Sequence, residues 1–186
     1  MTIYIALLRG INVGGKNSIK MVELKRVFES IGFCEVKTYI QSGNILFKSN
    51  EREELVCNRI EQEIEKVFGL SVRVVLRTAE ELQLIVKNCP FSKEEILQAE
   101  LLSQTESLYV AFLSNLPLQE KVECLNTYKS EKDEFRMEGR EIFLLCYDSI
   151  RKSKIASNLQ KLGVSSTVRN WKTINKLVEL AKAMEI

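Results

Sequence analysis

Three short clusters hold most of the residues able to grip or polarise a ligand. The first, Arg9-Gly10-Ile11-Asn12-Val13-Gly14-Gly15-Lys16-Asn17-Ser18, follows an apolar run and holds three of the chain's eight glycines. Backbone N–H groups in such a run can converge on an anion, and Arg9 and Lys16 add positive charge beside them. The second, Gln41-Ser42-Gly43-Asn44, sets amides and a hydroxyl between two apolar segments. The third, Thr167-Val168-Arg169-Asn170-Trp171-Lys172-Thr173, carries the only tryptophan. That ring offers a stacking face beside a guanidinium and an amide.

Each cluster also has a plain structural reading. The glycines of the first make a tight turn with positive φ, the second is a hairpin tip, and Trp171 closes a core while Thr173 caps a helix. The first cluster exceeds the needs of a turn, which requires neither so many residues nor Arg9, Asn12, Lys16 and Asn17 together.

Gly10 to Lys16 satisfies G-x-x-x-x-G-K, but Asn17 stands where a Ser or Thr hydroxyl would reach magnesium. A P-loop also needs a parallel sheet of βα units, which the element order below does not give. The chain has no histidine and two aspartates, Asp133 and Asp148. Histidine triads and histidine-based zinc sites are therefore excluded, and no metal or cofactor is expected. Glutamates such as those from Glu51 to Glu65 lie at helical spacing and read as solvated charge, as does the basic group Arg151-Lys152-Ser153-Lys154 at a helix start.

A net charge of +2 spread evenly over the chain gives no general polyanion signal. The N-terminal apolar run is too short for a signal peptide or membrane span, and five widely spaced cysteines never form C-x-x-C. A cytoplasmic protein with reduced, mostly buried thiols and no membrane partner is expected.

The elements that must position the clusters come from periodicity. The first half reads strand 3–8, helix 19–31, strand 36–41, strand 44–48, helix 52–68, strand 72–77 and helix 79–87. The second reads strand 108–113, helix 118–127, strands 134–138 and 141–147, helix 153–162, strand 165–169 and helix 173–184. Tyr4-Ile5-Ala6-Leu7-Leu8 resembles Tyr109-Val110-Ala111-Phe112-Leu113, and Gly43 falls opposite Gly139, so an internal duplication is expected. The fold class is α+β, as two ferredoxin-like (βαββαβ plus an extra helix) halves packed into one compact body. Lobes at 1–90 and 108–186 flank a connecting segment, 91–107, whose helix begins at a Ser92/Glu95 capping box. Strands apolar on both alternating sets must be covered on both faces.

On the three motifs quoted above, extended in the first by Leu7-Leu8 and in the second by Tyr39-Ile40, the chain resembles the bacterial family known as domain of unknown function 1697. The resemblance implies a small cytosolic bacterial protein with duplicated ferredoxin-like architecture and no assigned activity. Function must come from the site. The leading expectation is binding of a phosphate-bearing ligand, a nucleotide or single-stranded RNA. Gly14 and Gly15 amides at a helix start, with Lys16 and Arg9, would hold phosphate; Trp171 would stack on a base and Gln41 or Asn44 read its edge. The tip at 41–44 and the end of the first strand are expected at opposite ends of the sheet. One alternative is an enzyme acting on a small anionic metabolite, with Lys16 or Arg9 as clamp and Ser42 or Tyr39 moving a proton. The other is a homodimer formed through an apolar face, with no ligand site.

Overall fold

A computed structural model describes residues 1–185. The first sheet forms around β1 (Thr2–Leu8), of which every residue after Thr2 is buried. It pairs antiparallel with β3 (Asn44–Ser49) and β4 (Val74–Thr78), and β3 carries β2 (Cys34–Tyr39) at the edge, giving the order β2-β3-β1-β4. Tyr4, Ala6 and Leu8 share one face with Ile45, Phe47, Val74 and Leu76. On that face lie α1 (Met21–Ser30) and α2 (Glu53–Phe68). Each helix turns a stripe inward at three- and four-residue spacing, Leu24, Val27 and Phe28 from α1 and Val56, Ile60 and Ile64 from α2. The Phe33 and Phe47 rings stack with centroids 4.5 Å apart, and Phe28 meets both edgewise. The opposite face is equally dry, with Ile5, Leu7 and Leu46 fully buried.

The second sheet repeats the plan. β5 (Leu108–Leu113), β6 (Asp133–Glu138), β7 (Glu141–Cys146) and β8 (Ser166–Asn170) form an antiparallel sheet in the order β6-β7-β5-β8. Three further helices come before β6 in the chain: α3 (Ala79–Lys87), α4 (Lys93–Leu102) and α5 (Gln119–Asn126). Two more follow, α6 (Lys154–Ser157) and α7 (Trp171–Lys182). The chain is thus a mixed α+β protein with two four-stranded antiparallel sheets and seven α-helices among the described residues. Its two compact units run from Met1 to Leu84 with the described residues from Asn175 onward, and from Ile85 to Ile174, so the division falls inside α3 and α7.

Three local expectations need correction. The helix expected over 153–162 breaks into α6 and a 3-10 turn, Leu159–Leu162. The Ser157 hydroxyl and Asn158 amide both donate to the Lys154 carbonyl, competing with the helical N–H. The strand expected to reach residue 41 ends at Tyr39, because Ile40 takes φ +48° and leaves the extended region. The thiols are not mostly buried: only Cys146 is, while Cys34 and Cys124 are exposed and Cys57 and Cys89 half-buried. Burial pushes the Cys57 and Cys146 thiols up to about 12, so both stay protonated.

The capping box at α4 is present. Glu95 N–H donates to Ser92 Oγ at 3.1 Å and Ser92 N–H to Glu95 Oε2 at 2.8 Å. Arg136 joins it, donating to Glu95 Oε1 at 2.6 Å and to the Pro90 carbonyl at 2.7 Å, with its guanidinium 4.1 Å from the Phe91 ring centre. The hydrogen bond from Arg136, then that from Ser92 N–H, hold the Glu95 carboxyl down at about 2 against its ordinary 4.5. A depressed folded value means this contribution is full above the ordinary value and is lost as pH falls towards the folded one. Urea titrations of wild type and Glu95→Gln should therefore differ most above pH 4.5 and converge as the pH approaches about 2. A gap that persists undiminished at the acid end would refute the assignment.

Candidate functional site

The segment between β1 and α1 is a small hairpin of its own. Asn12 N–H donates to the Asn17 carbonyl and Lys16 N–H to the Val13 carbonyl, each at 3.1 Å. Gly14 and Gly15 form the turn between, with φ of +60° and +73°, as a type I′ turn requires at both central positions. This corrects the expected placement of their amides at a helix start: α1 begins at Met21, after Lys20 as N-cap. The helix dipole therefore does not act on this turn. Gly14 and Gly15 are nevertheless exposed, and their N–H groups have no hydrogen-bond partner among the described residues.

The first and second clusters meet, and they do so at one end of the first sheet. Because β1 and β3 are antiparallel, with Leu7 opposite Asn44, the end of β1 lies beside the start of β3. Leu8 N–H donates to the Gly43 carbonyl at 2.9 Å. The expectation of opposite ends is thus overturned by strand direction. The Asn12 side chain fastens the two loops together. Its Nδ2 donates to the Gln41 carbonyl at 2.8 Å and the Ile19 carbonyl at 3.0 Å, while its Oδ1 accepts from Ile19 N–H at 2.8 Å.

Several candidates are engaged in building these loops. Asn17 Nδ2 donates to the Gly10 carbonyl at 3.1 Å, and Asn44, fully buried, donates to the Tyr39 carbonyl at 3.0 Å and to Ser42 Oγ at 2.9 Å. Arg9, Lys16 and Gln41 are exposed, and among the described residues neither cation holds an ion pair. Gly43 has no alternative residue: at φ +80°, an added Cβ would lie 2.8 Å from both Ile11 Cδ1 and Leu8 Cβ.

The third cluster belongs to the other compact unit, and its polar groups serve the fold. Asn170 Oδ1 accepts from Thr173 N–H at 2.8 Å, so Asn170 caps α7 in place of the expected Thr173. Arg169 is buried, its Nη1 donating to Thr167 Oγ1 at 2.7 Å and the Val168 carbonyl at 2.9 Å. Burial lowers its pKa to about 10, which still leaves it cationic at neutral pH. Trp171 is half-buried with its ring tilted against Phe143, centroids 6.3 Å apart.

Two like antiparallel sheets, with polar loops gathered at one end of the first, define a small two-unit α+β protein. The family model described as protein of unknown function DUF1697 matches residues 1–143, and the chain belongs to that family. The match spans the first two clusters and stops before the third. The chain is also similar to the solved structure of the conserved bacterial protein SP0830 from Streptococcus pneumoniae. The two are 24% identical, with 97% of this chain and 98% of that one covered and a TM-score of 0.73, a likeness of fold. No curated protein matches. Among the described residues, no helix is long and apolar enough to cross a membrane.

The contact at Gly43 sets a test of loop coupling. Gly43→Ala should cost about 3 kcal/mol in denaturant unfolding, since it adds a clash to an unfavourable φ. Gly14→Ala, whose added Cβ meets nothing within 4 Å, should cost only about 1 kcal/mol. Equal losses in the two variants would show that the tip does not rest on Ile11 and Leu8.

Proposed function

We propose that the paired loops at the end of the first sheet bind a phosphate-bearing ligand, either a nucleotide or the backbone of single-stranded RNA. The observation that carries this reading is the Asn12 carboxamide. It holds the Gly10–Lys16 loop against the 40–43 tip and leaves Arg9, Lys16, Gln41 and the unpartnered Gly14 and Gly15 amides accessible on the pair. Amide N–H groups and two cations suit a phosphate, with Gln41 available to a base edge. Ile40 adds support, because a β-branched residue at φ +48° stores strain that accumulates where a tip is held for a purpose. Arg169 and Asn170, occupied in the fold, have no part in this reading, and no step of catalysis is proposed.

The same reading takes the two sheets as a duplicated ferredoxin-like unit. Supporting it are the shared strand order and a register in which Tyr4 and Tyr109 begin matching pairs, with Phe47 and Thr78 in one sheet and Leu144 and Asn170 in the other.

Calorimetric titration of adenosine and guanosine monophosphates and of short single-stranded RNA tests the site. Binding to the Arg9→Ala/Lys16→Ala variant should weaken at least about tenfold. For RNA, the wild-type affinity should fall steeply with salt and the variant's more gently, as fewer counterions are released. Absence of binding to wild type, or equal binding to the variant, would overturn the proposal.

A further inference from the structure

The second unit contains a cavity of about 770 Å³, within the range of about 300–1,000 Å³ typical of small-molecule sites. Its walls are two facing segments, residues 127–133 after α5 and residues 146–154 after β7. Tyr147 N–H donating to the Lys132 carbonyl at 2.8 Å ties the segments together. The buried Asp133 carboxylate ties them again, accepting from Ser130 Oγ and from Ser153 Oγ, each at 2.5 Å.

Four lysines outnumber three acids around the cavity, and of those acids only the exposed Glu131 has no hydrogen-bond partner for its carboxylate among the described residues. The lining acids are Glu131, Asp133 and Asp148, and the lining bases Lys129, Lys132, Lys152 and Lys154. Asp133 has both oxygens taken by hydroxyls. Asp148 accepts from Ser149 N–H at 2.7 Å and from Lys152 at 3.1 Å, and these bonds, the backbone one first, lower its pKa. Lys129 lies 4.6 Å from the Phe135 ring centre. Lys132 and Lys154 are left on opposite walls, exposed and without an ion pair among the described residues. Cys146, protonated by burial, contributes a neutral surface.

The connections that wall the cavity differ from their counterparts in the first unit. In the first sheet, Ser49 occupies the register position of Cys146, beside β1's Thr2 as Cys146 is beside Ser107. There the connection between α1 and β2 is short, Ile31 to Phe33. The Phe33 ring packs on Phe47, with Arg59 bonded to Glu51 and the Ile31 carbonyl and its guanidinium 5.6 Å from the Phe33 ring centre. In the second unit the connection runs from Thr127 to Lys132, no aromatic–arginine plug replaces that pair among the lining residues, and α6 stops after Ser157.

We infer that this cavity is a binding site for a small phosphate-bearing molecule, held between Lys132 and Lys154 and separate from the loop pair of the first unit. Ammonium groups on flexible stems serve a multiply charged anion as point charges, without the planar geometry a carboxylate would demand. The Ser149 hydroxyl, whose oxygen accepts from Arg151 N–H at 3.3 Å, keeps its own proton to donate.

Inorganic pyrophosphate titrated by calorimetry at low salt is the probe, with wild type, Lys132→Ala/Lys154→Ala, Ser149→Trp and Arg9→Ala/Lys16→Ala as hosts. The lysine variant should weaken binding at least about tenfold. Ser149→Trp, which leaves every charge in place and fills the space, should weaken it as much, and the first-unit variant should leave this cavity's affinity unchanged. Thermal melts check that each variant folds; the two lysines are exposed, so that pair should melt as wild type does. No pyrophosphate binding to wild type, or equal binding to the lysine variant, would overturn the inference. Binding that survives Ser149→Trp would do so too, as diffuse attraction to surface lysines.

Discussion

The segment from Arg9 to Lys20 has almost nothing to bury. Ile11 and Ile19 are its only buried side chains, one near each end, and hydrophobic contact cannot fix the ten positions around them. The Asn12 carboxamide supplies what burial does not. It donates to one atom of the Ile19 peptide backbone and accepts from the other, as a neighbouring strand would, and its second N–H reaches across to the Gln41 carbonyl. Aspartate could keep the acceptor but would lose both donors, and an apolar residue would lose all three bonds. The position also requires a residue tolerant of φ +53°, which asparagine is. One side chain thus meets a backbone demand and a polar demand together, and the arrangement of Arg9, Lys16 and Gln41 depends on it.

Register separates what the two sheets share from what each adds. Opposite Ile5 stands Arg77 and opposite Val110 stands Arg169, so each sheet buries an arginine at the same place. Thr78 and Asn170 follow in turn, accepting from the N–H groups of Glu81 and Thr173 at equivalent helix starts. A buried guanidinium is costly unless its donors are satisfied, and both arginines donate to their own strand's carbonyls, Leu76 and Val168. Features repeated in this way belong to the frame. The tip joining β2 to β3 is different: it has four residues between Tyr39 and Asn44, where its counterpart has only Gly139 and Arg140 between Glu138 and Glu141.

Most of the frame was legible in the sequence because alternation and helical spacing are local signals. The succession of strands and helices along the chain, the Ser92/Glu95 box and the hairpins follow from residue types alone. Two of the misreadings come from competition between side chain and backbone. Asn170 rather than Thr173 caps α7, and Ser157 with Asn158 ends α6, because short polar side chains bond the nearest free backbone group, which spacing does not reveal. Arg169 read as a ligand group because a guanidinium in a strand looks accessible until its neighbours are known. The meeting of the first two clusters was missed through strand direction, though antiparallel pairing of β1 and β3 requires it. The wall formed by residues 127–133 and 146–154 was read only as the basic group Arg151 to Lys154 at a helix start; its other lysines, serines and both aspartates are scattered along the chain.

The location of both candidate sites follows from the burial of the sheets. Ile5, Leu7 and Leu46 on one side of the first sheet, and Tyr4, Ala6 and Phe47 on the other, leave no accessible sheet face to carry polar groups. Chemistry is then confined to strand ends, where connections can lengthen without disturbing the pairing. The first unit lengthens the two connections that meet where β1 ends and β3 begins. The second keeps those short and lengthens the two at the other end of its sheet, before β6 and after β7. Lengthening a connection costs little, since closure entropy grows only slowly with loop length. Two like frames could therefore acquire polar sites at opposite strand ends while every buried pairing stayed in register.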